Sequence, residues 1–220
     1  MYGQDRVENV QSNGLIENGN IAVYDFTIRI KNEDYNNPLT ISVSKKGGHI
    51  VVANHNRNIT EEKIQIDEAN EIGKNFLYNL GIPDMKPTYY LKQGGAVTIN
   101  YAYLQDNVTI YPDLIKVKIA LDNGEILGIE TTGYLNSHTQ RTMSQIKVSK
   151  EEAKAKINKN LQIENERLAI IPTEFQTEIM CWEFKGRVDD REFLVYINVE
   201  TGKEEDILVI LNSDEGTLTM

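Results

Sequence analysis

The chain has 220 residues, of which 23 are Lys or Arg and 33 are Asp or Glu, so its formal net charge is −10. Apolar residues make up 40% of the chain, which excludes a globally disordered protein. No cluster of Lys and Arg forms a stripe that could follow a phosphate backbone, so nucleic-acid binding is not expected.

The single cysteine, Cys181, excludes an intrachain disulfide bond. The first residues do not form a signal peptide, and the chain lacks the run of about eighteen apolar residues that predicts a membrane-spanning helix. The chain opens in a strand-rich stretch without the helix that its later copies carry. We therefore expect it to be a fragment of a longer protein.

Strands alone are predicted for the first module, residues 1–57. Apolar side chains of one parity indicate a strand with two unlike faces at Ala22, Tyr24, Phe26, Ile28 and Ile30. A second alternating run covers residues 39–43 and leads into the turn at 46–48, where glycine supplies positive φ.

The second module, residues 58–140, begins with a predicted helix from Ile64 to Leu80. Its apolar or small positions recur at helical spacing, at Ile66, Ala69, Gly73, Phe76, Leu77 and Leu80. Gly81 and Pro83 then stop the helix. Alternating strands follow at residues 97–103 and 115–120, and the latter reaches the turn Asp122-Asn123-Gly124.

The third module, residues 146–220, repeats this order after a polar linker at 136–145. Ser149 and Glu152 have capping-box spacing, and Ala153, Ile157 and Leu161 continue the apolar stripe. Residues 193–202 repeat the strand and turn of residues 115–124 at a shift of about eighty. The predicted fold is α+β, with tandem units that each pack one helix on an antiparallel sheet of three to four strands.

A helix followed by strands, with an acidic residue and a glycine at the hairpin tip, resembles the PepSY module. Several segments are similar to the YpeB family of spore germination proteins, most clearly over residues 58–220. They are residues 111–126, 168–172, 181–186, 193–198 and 210–220.

The resemblance implies a longer parent protein with an amino-terminal membrane anchor. It also implies a location in the spore, outside the inner membrane, at the cortex or the surface of that membrane. The implied partner is the cortex-lytic enzyme SleB, a peptidoglycan hydrolase that the PepSY region would hold or restrain until germination.

Candidate catalytic and metal-binding residues are few. His49 and His55 would lie about 20 Å apart on one strand, too far to share a metal ion, and His138 is distant in sequence. Cys181 lies in an apolar strand, where a free cysteine usually acts as a small hydrophobic residue. We expect no catalytic residue, no metal and no cofactor.

Glu183 lies on the strand of Cys181, with a parity that could place it inward. A salt bridge to Lys185, Arg187 or Arg191, or simple exposure, is the expected role. The remaining acidic clusters are typical of solvated turns, and no phosphate-binding glycine motif is present.

Tyrosines are the candidate contact residues. Tyr101, Tyr103, Tyr111 and Tyr134 could form an exposed stripe that binds a protein or glycan partner. The favoured alternative is that these rings pack between strands beneath the helix.

Three functions remain open. The first is a non-enzymatic protein that binds and restrains or stabilises a SleB-type hydrolase through sheet faces or edges, and open edges would also allow self-association. The second is a peptidoglycan-binding module that anchors a cortex-lytic assembly through exposed tyrosines. The third, a hydrolase with an unrecognised site, has the least support.

Overall fold

The computed structural model describes residues 1–175, 177–213 and 216–219. It has a mixed α+β fold made mainly of strands, as expected at this coarse level. The carboxyl-terminal motif at 210–220 lies partly outside the described residues, because Asp214, Glu215 and Met220 are not among them. No helix of the described part combines the length and apolar character needed to cross a membrane.

The helices are the 3-10 helix Gln4–Arg6, α1 (Ile66–Asn79), α2 (Thr132–Ser137) and α3 (Lys150–Lys154). The strands are β1 (Val7–Ile16), β2 (Val23–Ile30), β3 (Leu39–Ser44), β4 (Ile50–Asn54), β5 (Met85–Gln93), β6 (Ala96–Gln105), β7 (Val108–Ala120), β8 (Ile126–Glu130), β9 (Gln162–Pro172), β10 (Glu178–Val188), β11 (Arg191–Asn198), β12 (Glu204–Ser213) and β13 (Gly216–Thr219).

The chain forms two compact units. Unit 1 contains Met1–Tyr101 and Asp113–His138, and unit 2 contains Ala102–Pro112 with the described residues from Thr139 onward. Each compact unit combines segments that are separated in sequence, whereas each predicted module is one continuous segment, so the units do not test the modules. The predicted modules 1–57, 58–140 and 146–220 therefore stay a prediction.

The strands of unit 1 form one sheet in the order β1-β2-β3-β4-β8-β7-β6-β5. β4 pairs antiparallel with β8, which places Val52 opposite Glu130 and Asn54 opposite Gly128. The four strands of residues 1–57 therefore extend the sheet of the strands that follow them and do not stand apart.

Helix α1 lies on this sheet and confirms the helix predicted from Ile64 to Leu80. Its buried residues are Ala69, Gly73 and Leu77, on one face of the helix. The hydroxyl of the fully buried Tyr101 donates a hydrogen bond to the carbonyl of Asn70, at 3.0 Å. Gly73 makes this approach possible, since a Cβ there would lie 2.1 Å from the Tyr101 hydroxyl oxygen.

The second predicted helix is shorter than its apolar stripe suggests. The capping box of Ser149 and Glu152 is present, but α3 ends at Lys154. Beyond it, the side chain of Asn158 accepts a hydrogen bond from the Asn160 backbone, a local contact that competes with helix. Ile157 still reaches the core, because the turn directs it there.

Unit 2 is built on the antiparallel strands β9, β10, β11 and β12. A short segment of β7 joins it, since Val108, Thr109 and Ile110 pair in parallel with Leu168, Ala169 and Ile170. Val108 and Ile110 are buried in a cluster with Ile170 and Met180. Residues 102–112 are therefore part of the core of unit 2, although α1 and most of unit 1 precede them in sequence.

Candidate functional site

The structure divides the four candidate tyrosines between the two units. Tyr101 and Tyr134 belong to unit 1, while Tyr103 and Tyr111 belong to unit 2. Tyr101 is fully buried beneath α1, so it is not available for surface contact as that hypothesis requires. The reason is the glycine at position 73, which lets the ring pack against the helix backbone.

Tyr111 belongs to a polar triad in unit 2. The carboxylate of Glu183 accepts hydrogen bonds from the Tyr111 hydroxyl at 2.7 Å and from Arg167 Nε at 2.6 Å. Arg167 Nη2 also donates to the Tyr111 hydroxyl, at 2.7 Å. The side chain of Glu183 is only 2% exposed, so its charge is matched inside the protein. The partner is Arg167, which lies opposite Glu183 on β9, and not one of the basic residues closer in sequence.

Tyr103 packs against the Val108 cluster of unit 2, and Tyr134 stacks on His138 with ring centroids 4.1 Å apart. Both rings are half-buried, as is that of Tyr111. Partner binding through Tyr103, Tyr111 and Tyr134 stays a prediction.

A cavity of about 500 Å³ lies beside α2 in unit 1. Its lining includes His49, Leu80, Ile82, Tyr134 and His138. His138 is oriented by Asp113, whose fully buried carboxylate lies 2.7 Å from its Nδ1. A tyrosine ring stacked on a polar imidazole can contact the apolar face and the hydroxyl groups of a sugar.

The three histidines lie in different surroundings. His49 is exposed, whereas His55 is buried and its Nδ1 contacts the hydroxyl of Tyr2. In the described part of the chain, His, Cys, Asp and Glu form no group of three suited to a metal ion.

Cys181 is buried on β10, and burial raises the pKa of its thiol to about 12. Almost none of a thiol with that pKa is in the thiolate form at neutral pH, so it is a poor nucleophile. The buried cysteine therefore acts as part of the core, as its apolar strand indicates.

Sequence patterns did not reveal the ion network around Arg57. Its Nη1 and Nη2 donate to the two carboxylate oxygens of Asp122, each at 2.7 Å, and its Nε donates to Glu125 at 3.2 Å. These bonds hold the pKa of Asp122 below its usual value. Arg57 thereby fixes the β7–β8 hairpin tip, and its charge is matched by two carboxylates.

The sheet of unit 1 has one apolar face whose burial changes from strand to strand. Register places a row of side chains side by side on that face, running from β1 to β7: Ser12, Phe26, Ile41, Ala53, Ile129 and Val117. Val117, Ile129 and Ala53 are buried, Ile41 and Phe26 are half-buried, and Ser12 is exposed. The solvent exposure of the apolar face thus increases from β7 toward β1.

We define the β1–β3 surface as the apolar side chains of this face on the first three strands. They are Val10, Leu15, Tyr24, Phe26, Ile28, Ile41 and Val43. Val10 is 54% exposed, Leu15 39% and Tyr24 40%. The opposite face of the same strands carries mainly polar side chains, such as Asp25, which accepts a hydrogen bond from Ser42.

The edge of the sheet adjoins the β1–β3 surface. Among the described strands β1 pairs only with β2, and its ten residues include a single charge, Glu8. Register irregularities between Val7 and Asn9 and between Ser12 and Gly14 oppose its pairing with another strand. A largely uncharged edge beside an exposed apolar face can receive a protein partner.

Comparison with known proteins identifies the family. Residues 1–144 match the family model described as "YpeB sporulation, PepSY1 and PepSY2 domains". Residues 147–208 match "Peptidase propeptide and YPEB domain". The predicted resemblance is confirmed.

Similar proteins point the same way. The chain is 31% identical over 191 residues to "Sporulation protein YpeB" of Bacillus subtilis, covering 86% of this chain and 42% of that protein. It is 34% identical over 160 residues to the protein of that name in Oceanobacillus iheyensis, covering 73% of this chain and 36% of the relative. The chain thus spans less than half the length of these relatives.

A solved structure described as the "Bacillus megaterium YpeB C-terminal domain" superposes with a TM-score of 0.82 at 26% identity. The match covers 93% of this chain and 90% of that one. Since the first family model covers residues 1–144 of 220, the chain belongs to the YpeB family of sporulation proteins.

Proposed function

We propose that this chain is a non-catalytic binding region of a spore germination protein, built of tandem PepSY-like units. Its β1–β3 surface contacts a SleB-type cortex-lytic peptidoglycan hydrolase and restrains or stabilises that enzyme. The complex would lie in the spore, outside the inner membrane, held there by an anchor in the longer parent protein.

The observation that carries this proposal is the increase in solvent exposure along the apolar face of unit 1, from β7 toward β1. Val117 is fully buried, whereas Val10, Leu15 and Tyr24 are more than a third exposed. Because these side chains are already about half-buried, burying the remainder of one against a partner contributes roughly 1 kcal/mol. A partner that covers several of them would gain enough free energy for specific binding.

A matched pair of substitutions tests the proposal. Leu15 on the β1–β3 surface is 39% exposed, and Val52, on the opposite face of the sheet, is 38% exposed. Leu15→Lys is expected to weaken binding of a purified SleB-type hydrolase at least about ten-fold, because it places a charge in the apolar contact. Val52→Lys introduces the same charge at equal exposure and should leave affinity within about two-fold.

Binding is measured by calorimetry, and the muralytic rate of the hydrolase is followed with and without the chain. Circular dichroism confirms that both variants fold. Absence of binding by the unmodified chain would contradict the proposal, as would equal losses in the two variants. Leu15 lies on the edge strand β1, so light scattering on both variants reports whether Leu15→Lys also changes self-association of the chain.

A peptidoglycan-binding module is the second candidate. It is favoured by the stack of Tyr134 on His138 at the cavity beside α2. Retention of the chain on purified cortex sacculi without any partner, lost in Tyr134→Ala, would support it. Retention only in the presence of the hydrolase would instead favour the first proposal.

A further inference from the structure

A second cavity of unit 1, of about 480 Å³, lies on the face of the sheet opposite the β1–β3 surface. It is lined by the segment after β4, the β5–β6 turn and strands β6, β7 and β8. Its floor is apolar, with Ala96 and Leu127 buried and Ile59 packed against them. Its polar groups include Asn54, Asn56, Thr98 and Lys118.

The register of three strands creates this space. Asn54 on β4 and Lys118 on β7 both lie opposite Gly128 on β8. A Cβ at Gly128 would lie 2.8 Å from the carbonyl oxygen of Ala53 and 3.4 Å from Lys118 Cβ. Because Gly128 has no side chain, those of Asn54 and Lys118 can meet above it.

The ammonium group of Lys118 is held by neutral groups. Its Nζ donates to Oδ1 of Asn56 at 2.6 Å and lies 3.5 Å from Oδ1 of Asn54. Lys116, two residues earlier on the same strand, pairs with Glu130 at 2.9 Å. Among the described residues no carboxylate forms a comparable ion pair with Lys118.

Burial lowers the pKa of Lys118, as expected for a cation removed from water without a counter-ion. Arg57 also lines the cavity, but Asp122 and Glu125 already match its charge. The unmatched positive charge of the cavity is therefore that of Lys118, in a chain whose net charge is −10.

We infer that this cavity binds a small organic carboxylate, whose charged group pairs with Lys118 and whose polar body contacts the amides of Asn54 and Asn56. The size of the cavity suits a ligand of one or two sugar rings or a short peptide end. An amide-lined wall and a small apolar floor fit a sugar acid that carries N-acetyl groups. The carboxylate supplies the counter-ion that the protein does not.

The experiment uses the full chain and follows the Lys118 side chain by NMR. The probes are N-acetylmuramic acid, its uncharged counterpart N-acetylglucosamine, and the dipeptide D-Ala-D-Ala, which carries a carboxylate without a sugar. N-acetylmuramic acid is expected to bind and to raise the pKa of Lys118 by about 1 or more, because an anion then lies beside the ammonium. N-acetylglucosamine should leave that pKa unchanged.

The dipeptide arm distinguishes a sugar acid from a peptide end as the source of the carboxylate. Binding of either acid through Lys118 supports the inference. Equal binding of the charged and uncharged sugars would overturn it, as would no response of Lys118 to either acid.

Two variants and a control separate binding from folding. Lys118→Met should weaken binding of the acid by about ten-fold or more, since a charge-assisted hydrogen bond is lost. Lys116→Met, on the same strand, should bind as the unmodified chain does. Asn56→Asp, at an exposed position, should raise the pKa of Lys118 without ligand and block the acid.

The choice of a sugar acid as probe draws on the proposed function, but the response of Lys118 does not. A chain that does not bind the hydrolase, but whose Lys118 responds to the acid, would contradict the proposed function and not this inference. A chain that binds the hydrolase, but whose Lys118 responds to neither acid, would contradict this inference and not the proposed function.

Discussion

His55 is a buried imidazole in a chain with only three histidines. Its Nδ1 contacts the Tyr2 hydroxyl, and its Nε2 is buried. Burial lowers its pKa below the ordinary value of 6.5. The charged groups that act on it are Glu33, Arg57 and Glu125.

This environment predicts a pH dependence of stability. Below pH 6.5 the histidine of the unfolded chain takes up a proton that the folded chain does not bind. The contribution of His55 is therefore complete above pH 6.5 and is lost as pH falls toward the folded pKa. Urea unfolding between pH 7.5 and 5.5 should show a falling free energy of unfolding.

His55→Gln should flatten this slope, because it removes the buried imidazole. His49→Gln is the matched control, since His49 is exposed and should leave the slope unchanged. A slope that persists in His55→Gln would assign the effect to other groups.

At the scale of single residues the sequence predicts little of the candidate sites. It indicates that Cys181 belongs to the core, and the structure agrees. It cannot predict that Arg57 meets Asp122, sixty-five positions later, or that Lys118 meets Asn56. Those contacts depend on which strands pair, and no local pattern carries that information.

At the scale of elements, the contact between α1 and the sheet depends on one glycine. Gly73→Ala would gain about 1 kcal/mol of helix propensity. The new methyl group would lie 2.1 Å from the Tyr101 hydroxyl and force the ring away from Asn70. Overpacking of this kind costs roughly 1–3 kcal/mol, in addition to the lost hydrogen bond. We expect a net loss of about 1–3 kcal/mol in the free energy of unfolding.

Asn75→Ala is the control, because Asn75 is exposed on the same helix and should gain a few tenths of a kcal/mol. Adding Tyr101→Phe to Gly73→Ala should recover part of the loss, since the closest atom is then absent. Equal stability of Gly73→Ala and the unmodified chain, measured by thermal unfolding, would show that the ring has another place to pack.

Element positions follow from sequence where a strong pattern meets a stop signal. The helix predicted from Ile64 to Leu80 is observed as Ile66–Asn79, because its apolar stripe is followed directly by the stop signal at Gly81. The stripe continuing to Leu161 suggests a long helix, yet α3 has five residues. An apolar side chain at helical spacing can reach the core from a turn, so spacing alone does not set helix length.

At the scale of the whole molecule, the predicted mixture of helices and strands is observed, but the pairing of the strands does not follow from sequence pattern. Alternation shows that each strand has two faces, and the sheets confirm it. It does not show which edges meet, so the pairing of β4 with β8 could not be predicted. The same is true of Val108–Ile110, whose parallel pairing with β9 adds a distant segment to unit 2.

The contribution of residues 102–112 to unit 2 leads to a prediction for a shortened chain. A fragment beginning at Thr139 lacks Val108 and Ile110, which are 2% and 0% exposed in the intact chain. Ile170 and Met180 would lose part of their cover, at a cost of roughly 2 kcal/mol or more. The fragment should therefore unfold at lower urea concentration than unit 2 does in the whole chain.

Adding a peptide of residues 102–112 should raise the urea midpoint of the fragment in a concentration-dependent manner, because binding stabilises the folded state. A peptide with Ile110→Lys serves as control and should have no effect. A fragment as stable as the whole chain would show that β9 does not need the added strand.

The buried thiol at position 181 also gives this protein a built-in reporter. A thiol reagent can modify it only when β10 separates from its neighbours, so the labelling rate measures transient opening of that part of the chain. With no other cysteine in the sequence, a second one introduced on the surface would react first and could carry a fluorophore or spin label. A slow native signal and a fast engineered one could then be read from the same molecule while a partner is added.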